Sequence, residues 1–325
     1  MERTDTNPVI HSNGLGAAQD INKLTLHEFA DFLRQSGQTQ RLIELAYDED
    51  LGISGHDWTG EMMFAFGDQR QVQMRARESG VVAGMEFLGD LVEVFGQLGT
   101  ISFTPKVSDG DQLEPGTVLG EFQGSARAIV ALERTMLNLI SRLSGIATRT
   151  DRFVQLVDGT KAKICDTRKT TPGLRAFEKY AVRCGGGVTH RMGLYDAVLI
   201  KDNHIAGVEG ADLGTKLETV AAKIASEHTK LWFVQVEVDT LDQLSSVLDA
   251  KAGTVDIVLL DNMNTEQLTQ AVAMREQAHC AVLLEASGGV SESTVRAIAQ
   301  CQVDRISIGG LTHQAQSLDI GLDVV

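Results

Sequence analysis

Two rhythms of apolar and polar positions divide this chain. From about residue 159 onward, short apolar runs recur at 162–166 (AKICD), 197–200 (AVLI), 232–238 (WFVQVEV), 256–260 (DIVLL), 281–285 (AVLLE) and 304–308 (DRISI). Between them lie stretches with helical spacing, near 174–184, 213–227, 240–250, 264–276 and 292–300. Strands alternating with helices in this way predict a parallel sheet, closed as a barrel or doubly wound. None of the glycine clusters forms a GxGxxG between a strand and a helix, which argues against a Rossmann cofactor site.

The first half reads differently. Residues 1–20 lack periodicity and are expected to be flexible. Thr25-Leu26-His27-Glu28 is a capping-box pattern that should start a helix, with Gly37 placed to end it. Residues 41–47 (RLIELAY) predict a second short helix, and 54–60 (SGHDWTG) a loop without a readable role. MMFAF (62–66), QVQMRA (71–76), GVVAGMEF (80–87) and TVLGEF (117–122) look strand-like, with GDQLEPGTVLG (110–120) as a hairpin connection. Ile129, Leu132, Met136, Leu139, Ile140 and Leu143 form a stripe on a long helix from Ser125 to Leu143. Gly145 should break that helix, with a second helix over Ala147–Val157. The expected division is therefore an N-terminal domain over 21–144 and a catalytic domain over 145–310.

Composition narrows the function classes. The 325 residues carry a formal charge of −15, which disfavours nucleic acid or an anionic membrane as partner. No run of 18 apolar residues marks a membrane span, and the first residues lack the apolar core of a secretory signal. Cys165, Cys184, Cys280 and Cys301 are scattered without CxxC, which fits buried thiols in a reducing cytoplasm. Against this acidic background, residues 161–201 hold nine basic side chains and three acidic ones, a local charge near +6. A solvated basic helix face is the plain explanation. A site for a small, multiply charged anion is the sharper one.

The strand ends favour the second. Thr167, Arg168 and Lys169 end one strand, and Lys201, Asp202 and Asn203 the next. Glu237 and Asp239 follow, then Asp261 and Asn262, then Ser287, Gly288 and Gly289, and last Ile308, Gly309 and Gly310. In a parallel α/β barrel all these ends share the face where active sites form. Guanidinium forks suit carboxylates. Carboxylates at Glu237 and Asp261 suit ribose hydroxyls or Mg²⁺. Glycine turns, with Ser291 as an expected N-cap, let backbone N–H groups reach a phosphate. The set reads as a phosphorylated sugar meeting a small polycarboxylate.

These residues resemble a known family. DTRKTTPGLRAFEKYAVRCGGGVTHRMGLYDAVLIKDNHI (166–205) is similar to the signature of quinolinate phosphoribosyltransferases. ERTMLNLISRLSGIAT before it, and VEVD, LLDN, EASGGV and LTHQAQSLDIGLD after it, keep the family's order. The resemblance is dense over 120–325 and loose over 20–120. Residues 48–64 depart from the expected short acidic loop, and Gly309-Gly310 replaces the more usual Gly-Ala.

The resemblance implies an N-terminal α/β sandwich, to which residues 311–325 return, and an open seven-stranded α/β barrel of the TIM-like kind. It implies transfer of phosphoribosyl from 5-phosphoribosyl-1-pyrophosphate to quinolinate with decarboxylation, using Mg²⁺, in NAD biosynthesis. It also implies a homodimer with shared active sites, or a higher oligomer of it. By position, Arg134 would reach quinolinate across the dimer. Thr167, Arg168, Lys169, His190, Arg191 and Lys201 would line the quinolinate and pyrophosphate side. Glu237 and Asp261 would address the ribose and, directly or through water, Mg²⁺. Ser287–Gly289 and Ile308–Gly310 would hold the 5′-phosphate. Lys169, Lys201, Glu237 and Asp261 are the expected catalytic residues. Three rivals are a paralogue with another acid as acceptor, a Schiff-base lyase using Lys169 or Lys201, and a non-catalytic anion-binding module.

Overall fold

The computed structural model describes residues 20–52, 54–208, 210–227 and 230–325. The expected flexible segment lies outside them, apart from Asp20. The N-terminal helix starts as its capping box requires. Thr25 accepts from Glu28 N–H and the Glu28 side chain accepts from Thr25 N–H, over a helix Leu26–Gln35. Gly37, at φ 69°, turns the chain into the next helix, Gln38–Leu51, which is twice as long as RLIELAY suggested.

A four-stranded antiparallel sheet follows, in the order Ile320–Val324, Gln69–Ala76, Val118–Ser125, Ile101–Pro105. Two strand expectations and the hairpin fail here. MMFAF is the end of a short helix Trp58–Met63 and the coil after it, capped by Asp57, whose carboxylate accepts from Gly60 N–H. Its apolar side chains stay in solvent: Met62 is 75% exposed and Phe66 84%. GVVAGMEF gives only a two-residue strand, Gly80–Val81, and a 3₁₀ turn Met85–Phe87 leading into a helix Leu88–Phe95. The turn in GDQLEPGTVLG exists, but its flanks do not pair with each other. Gln112–Leu113 pairs with Gly80–Val81, whereas Val118–Ser125 belongs to the larger sheet.

The expected break at Gly145 is absent. One helix of 31 residues runs from Ala126 to Leu156, and the boundary drawn at 144/145 falls inside it. Glycine serves another purpose there. A Cβ at position 145 would sit 1.8 Å from the carbonyl oxygen of Gln316. The C-terminal segment crosses the helix at this point, with Leu318 N–H donating to Ser141 O at 2.9 Å. Nearby, Arg142 donates to the carbonyls of Thr312 and Ala315 and to Glu178, at 2.7, 2.8 and 2.8 Å. Close packing thus offsets the ~1 kcal/mol that a helical glycine costs.

The second half is the parallel α/β unit. Six strands are ordered Lys163–Cys165, Arg305–Ser307, Leu283–Ser287, Ile257–Asp261, Val234–Val238, Val198–Ile200. A seventh position is a single parallel bridge from Cys165 to Val188. No ladder joins Val188 to Val198–Ile200, so the barrel is open there, as the resemblance implied. Aromatic contacts knit the halves together. Phe87 meets Phe177 and Tyr180 edge-on, and Tyr180 donates to Asp109 at 2.7 Å.

The crossing at Gly145 yields a prediction. Gly145→Ala should destabilise the fold by about 1–3 kcal/mol through overpacking against Gln316. Gly89→Ala, where an added Cβ meets nothing within 4 Å, should leave stability within about 1 kcal/mol of the parent. Urea midpoints of the two variants check this.

Candidate active site

The strand ends converge on one open cavity of about 770 Å³. Thr167, Arg168, Lys169, His190, Arg191, Lys201, Glu237, Asp261, Ser287, Gly288, Gly289, Ile308, Gly309 and Gly310 all line it. Of the residues expected at the site, Arg134 stands outside. It sits on the long helix with its side chain 69% exposed, paired only with its neighbour Glu133 at 3.0 Å.

The cationic side is set by buried polar contacts. Asp166 and Lys179 are fully buried and 2.5 Å apart. Lys179 also donates to His190 O at 3.1 Å, and His190 N–H donates to the same Asp166 oxygen at 2.7 Å. One ion pair therefore fixes the strand end that carries Thr167–Lys169 and the loop that carries His190 and Arg191. Burial pushes the Asp166 carboxyl up, and the Lys179 charge opposes it. Burial lowers the Arg191 pKa, and the neighbouring Arg168 lowers it further. Arg191 donates to Ala197 O at 3.1 Å, while its Nε is buried without a partner. Two guanidiniums repelling each other across a cavity wall are relieved by an anion between them.

His190 uses both ring nitrogens within the protein. Nδ1 accepts from Arg191 N–H at 2.8 Å, so Nε2 carries the proton and donates to Gln235 Oε1 at 2.6 Å. Burial takes its pKa down to about 4, although Glu285 nearby favours the charged form. Its ring thus forms wall and support, not a cation. Beneath it, Glu285 is fully buried, 2.8 Å from Arg305 Nε and 3.7 Å from His190. Burial works against the Glu285 carboxylate, but the Arg305 charge outweighs it and holds its pKa below the usual range.

On the opposite side, Lys201 Nζ lies 2.5 Å from Glu237 Oε2. Asp261 sits one strand further. Burial and the nearby Asp239 raise its pKa, against Lys201 and Lys169. Gly288 and Gly289 take positive φ of 93° and 60°, which turns the backbone after Ser287 along the cavity. Ser291 is not the expected N-cap. The helix begins at Val295, and Ser291 instead closes a turn with Thr294. Lys169 packs on the last turn, where its Cδ lies 2.6 Å from the position of a Cβ on Gly309.

Glu285, Ser307, His313 and Gln314 line the cavity but do not stand out in the sequence as site residues. A signal for the first two exists. Gln235 and Glu237, Glu285 and Ser287, and Arg305 and Ser307 are spaced by two within apolar strands, so each pair shares one strand face. Thiol reactivity has no part in the site: burial takes the Cys165 pKa up to about 12. Among the described residues, no group of three or more His, Cys, Asp or Glu side chains could hold a metal ion by itself.

The locked imidazole makes a prediction. His190 should remain the neutral, Nε2-protonated form from about pH 5 to 8, readable by ¹⁵N NMR of the imidazoles. The unfolded chain binds this proton near 6.5 and the folded one only near 4, so stability should fall as pH drops between those values. A doubly protonated His190 at pH 7 would contradict the assignment.

Similarity to known proteins agrees with this geometry. Residues 57–144 match the model for the N-terminal domain of quinolinate phosphoribosyl transferase, and residues 146–323 that for its C-terminal domain. A nicotinate-nucleotide pyrophosphorylase [carboxylating] from Mycobacterium leprae is 44% identical over 284 residues, covering 87% of this chain and 95% of its own. A probable enzyme of the same name from Bacillus subtilis is 38% identical, with 88% and 93% covered. The solved nicotinate-nucleotide pyrophosphorylase of Francisella tularensis superposes with a TM-score of 0.79 at 34% identity, covering 94% of this chain and 99% of that one.

Proposed function

The chain belongs to the quinolinate phosphoribosyltransferase family, and on that premise we infer that it joins quinolinate to 5-phosphoribosyl-1-pyrophosphate. The products are nicotinate mononucleotide, pyrophosphate and CO₂, in the biosynthesis of NAD. The observation that carries this reading is the division of a single cavity. Guanidiniums stand on one side, carboxylates and a lysine in the middle, and glycine turns on the other.

Arg168 and Arg191 would hold the two carboxylates of quinolinate. The repulsion of Arg191 by the neighbouring Arg168 is what supports this role. Lys169 and Lys201 would meet the pyrophosphate. Glu237 and Asp261 would receive the ribose hydroxyls, with Lys201 holding the Glu237 carboxylate in place. The backbone of Ser287–Gly289 and Ile308–Gly310 would bind the 5′-phosphate, with Lys169 beside it. His190 would act through Arg191 and not on the substrate.

Transfer builds positive charge on the sugar as pyrophosphate leaves. No activated nucleophile faces the cavity, so positioning and electrostatics would dominate. Arg168 and Arg191 aim the ring nitrogen at C1, and the lysines receive the leaving charge. Once that nitrogen is alkylated, the pyridinium stabilises the carbanion left by CO₂, and a proton from solvent then completes the nicotinate ring.

Mg²⁺ fits this donor set. Two carboxylates at adjacent strand ends, without a larger cluster, suit an ion that arrives with substrate phosphates and keeps much of its water. Bound there, it would neutralise pyrophosphate charge.

Arg134 would complete the quinolinate wall of a second copy of this chain in a homodimer. Its exposure, and the exposed Trp58, Met62 and Met63 on the short helix that packs against the same long helix, with Phe66 just after it, support such an assembly. No helix among the described residues is long and apolar enough to cross a membrane, and the cytoplasm would supply both substrates.

The purified protein with quinolinate, phosphoribosyl pyrophosphate and Mg²⁺ should release nicotinate mononucleotide and CO₂, and chelation should stop it. Nicotinate is the control acceptor. Product from nicotinate but not quinolinate would overturn the substrate assignment. Arg134→Ala and Lys201→Ala proteins should each be inactive, and re-annealed mixtures should recover up to about a quarter of wild-type activity. Verified heterodimers without recovery would refute the shared site.

A further inference from the structure

Asn262 is set apart by its backbone. It adopts φ 53°, the left-handed region, at the end of the strand Ile257–Asp261 and on the cavity wall. A non-glycine residue there is strained, and Asn is among the few that tolerate it. The conformation allows three contacts at once. The Asn262 side-chain amide donates to Asp261 Oδ2 at 2.6 Å. Its backbone N–H donates to Ser287 O at 2.9 Å. Its Oδ1 lies against the next loop residue, where a Cβ on Gly288 would come within 2.1 Å of it. Asp261 and Ser287 are already register partners on adjacent parallel strands, and Asn262 extends that pairing beyond the sheet.

We propose that Asn262 is a positioning residue that fixes the spacing between the Asp261 carboxylate and the Ser287–Gly289 turn, and thereby the length of sugar phosphate the cavity accepts. This rests on the reading of these two features as the ribose and 5′-phosphate sites. A carboxylate at a strand end is free to rotate. One held by its neighbour's amide presents its other oxygen in a fixed direction. A phosphate turn tied to the same neighbour cannot drift away from that oxygen. Asn262 therefore acts on the sugar phosphate through Asp261 and Gly288, and has no role toward the pyridine acid.

Two variants separate the side chain from the backbone. Asn262→Gly keeps the left-handed conformation and removes the amide. Asn262→Asp keeps the size and replaces the donor with an acceptor facing Asp261. Calorimetric binding of ribose 5-phosphate and KM for phosphoribosyl pyrophosphate should both worsen about tenfold in Asn262→Gly and further in Asn262→Asp. KM for quinolinate should stay within about twofold, and the thermal midpoint of Asn262→Gly should be unchanged. Wild-type ribose 5-phosphate affinity in both variants would overturn the proposal. So would equal losses for both substrates together with a lowered midpoint, which mark a merely structural role. Should Asn262→Gly not fold, Asn262→Asp carries the comparison alone. Wild-type protein that binds ribose 5-phosphate but makes no nucleotide would refute the enzymatic reading and leave the spacing role standing. Wild-type protein that makes nucleotide but does not bind ribose 5-phosphate would refute the spacing role and leave the enzymatic reading standing.

Discussion

The buried pair of Asp166 and Lys179 is the constraint on which the site depends. Neither side chain touches solvent, so each charge is tolerable only with the other present. Removing either partner would strand a charge in the interior, at a cost of about 3–5 kcal/mol. The pair joins a strand end, a helix and the backbone at His190, three segments that the sequence spreads over 25 residues. Arg168 and Arg191 project from two of those segments. Their unfavourable proximity is thus imposed by a contact behind them, and it leaves the cavity wall ready for an anion.

Much of the second half was legible in the sequence because its strands are covered on both faces. AVLI, VQVEV and IVLL read as short apolar runs with polar ends, and each became a strand within one or two residues of the expected place. The first half was less legible. MMFAF has a strand's composition, but Asp57 caps a helix there, and no sheet edge covers its apolar side chains. Gly145 carries the signal of a helix end. Its real partner is the carbonyl of Gln316, 171 positions away, and no local pattern encodes such a contact.

The site divides along the same line. Arg168, Lys201, Glu237 and Asp261 lie at strand ends, where polar residues interrupt apolar runs. The layer beneath is harder to see. Gln235, Glu285 and Arg305 look like ordinary strand positions until the barrel turns them inward. His190 shows the remaining limit. Its residue type suggests a cation or a proton carrier, whereas its two hydrogen bonds and its burial make it a neutral brace.

The strand Ile320–Val324 has a consequence in time. It follows the whole parallel unit in the chain, and it pairs with Gln69–Ala76, made some 250 residues earlier. Until it emerges, that earlier strand has a bare edge carrying Val72, Met74 and Ala76 toward an unfinished core. The first domain therefore cannot be completed before the second has been translated. Whatever the order in which local pieces form, the first half waits on residues that lie beyond the whole parallel unit.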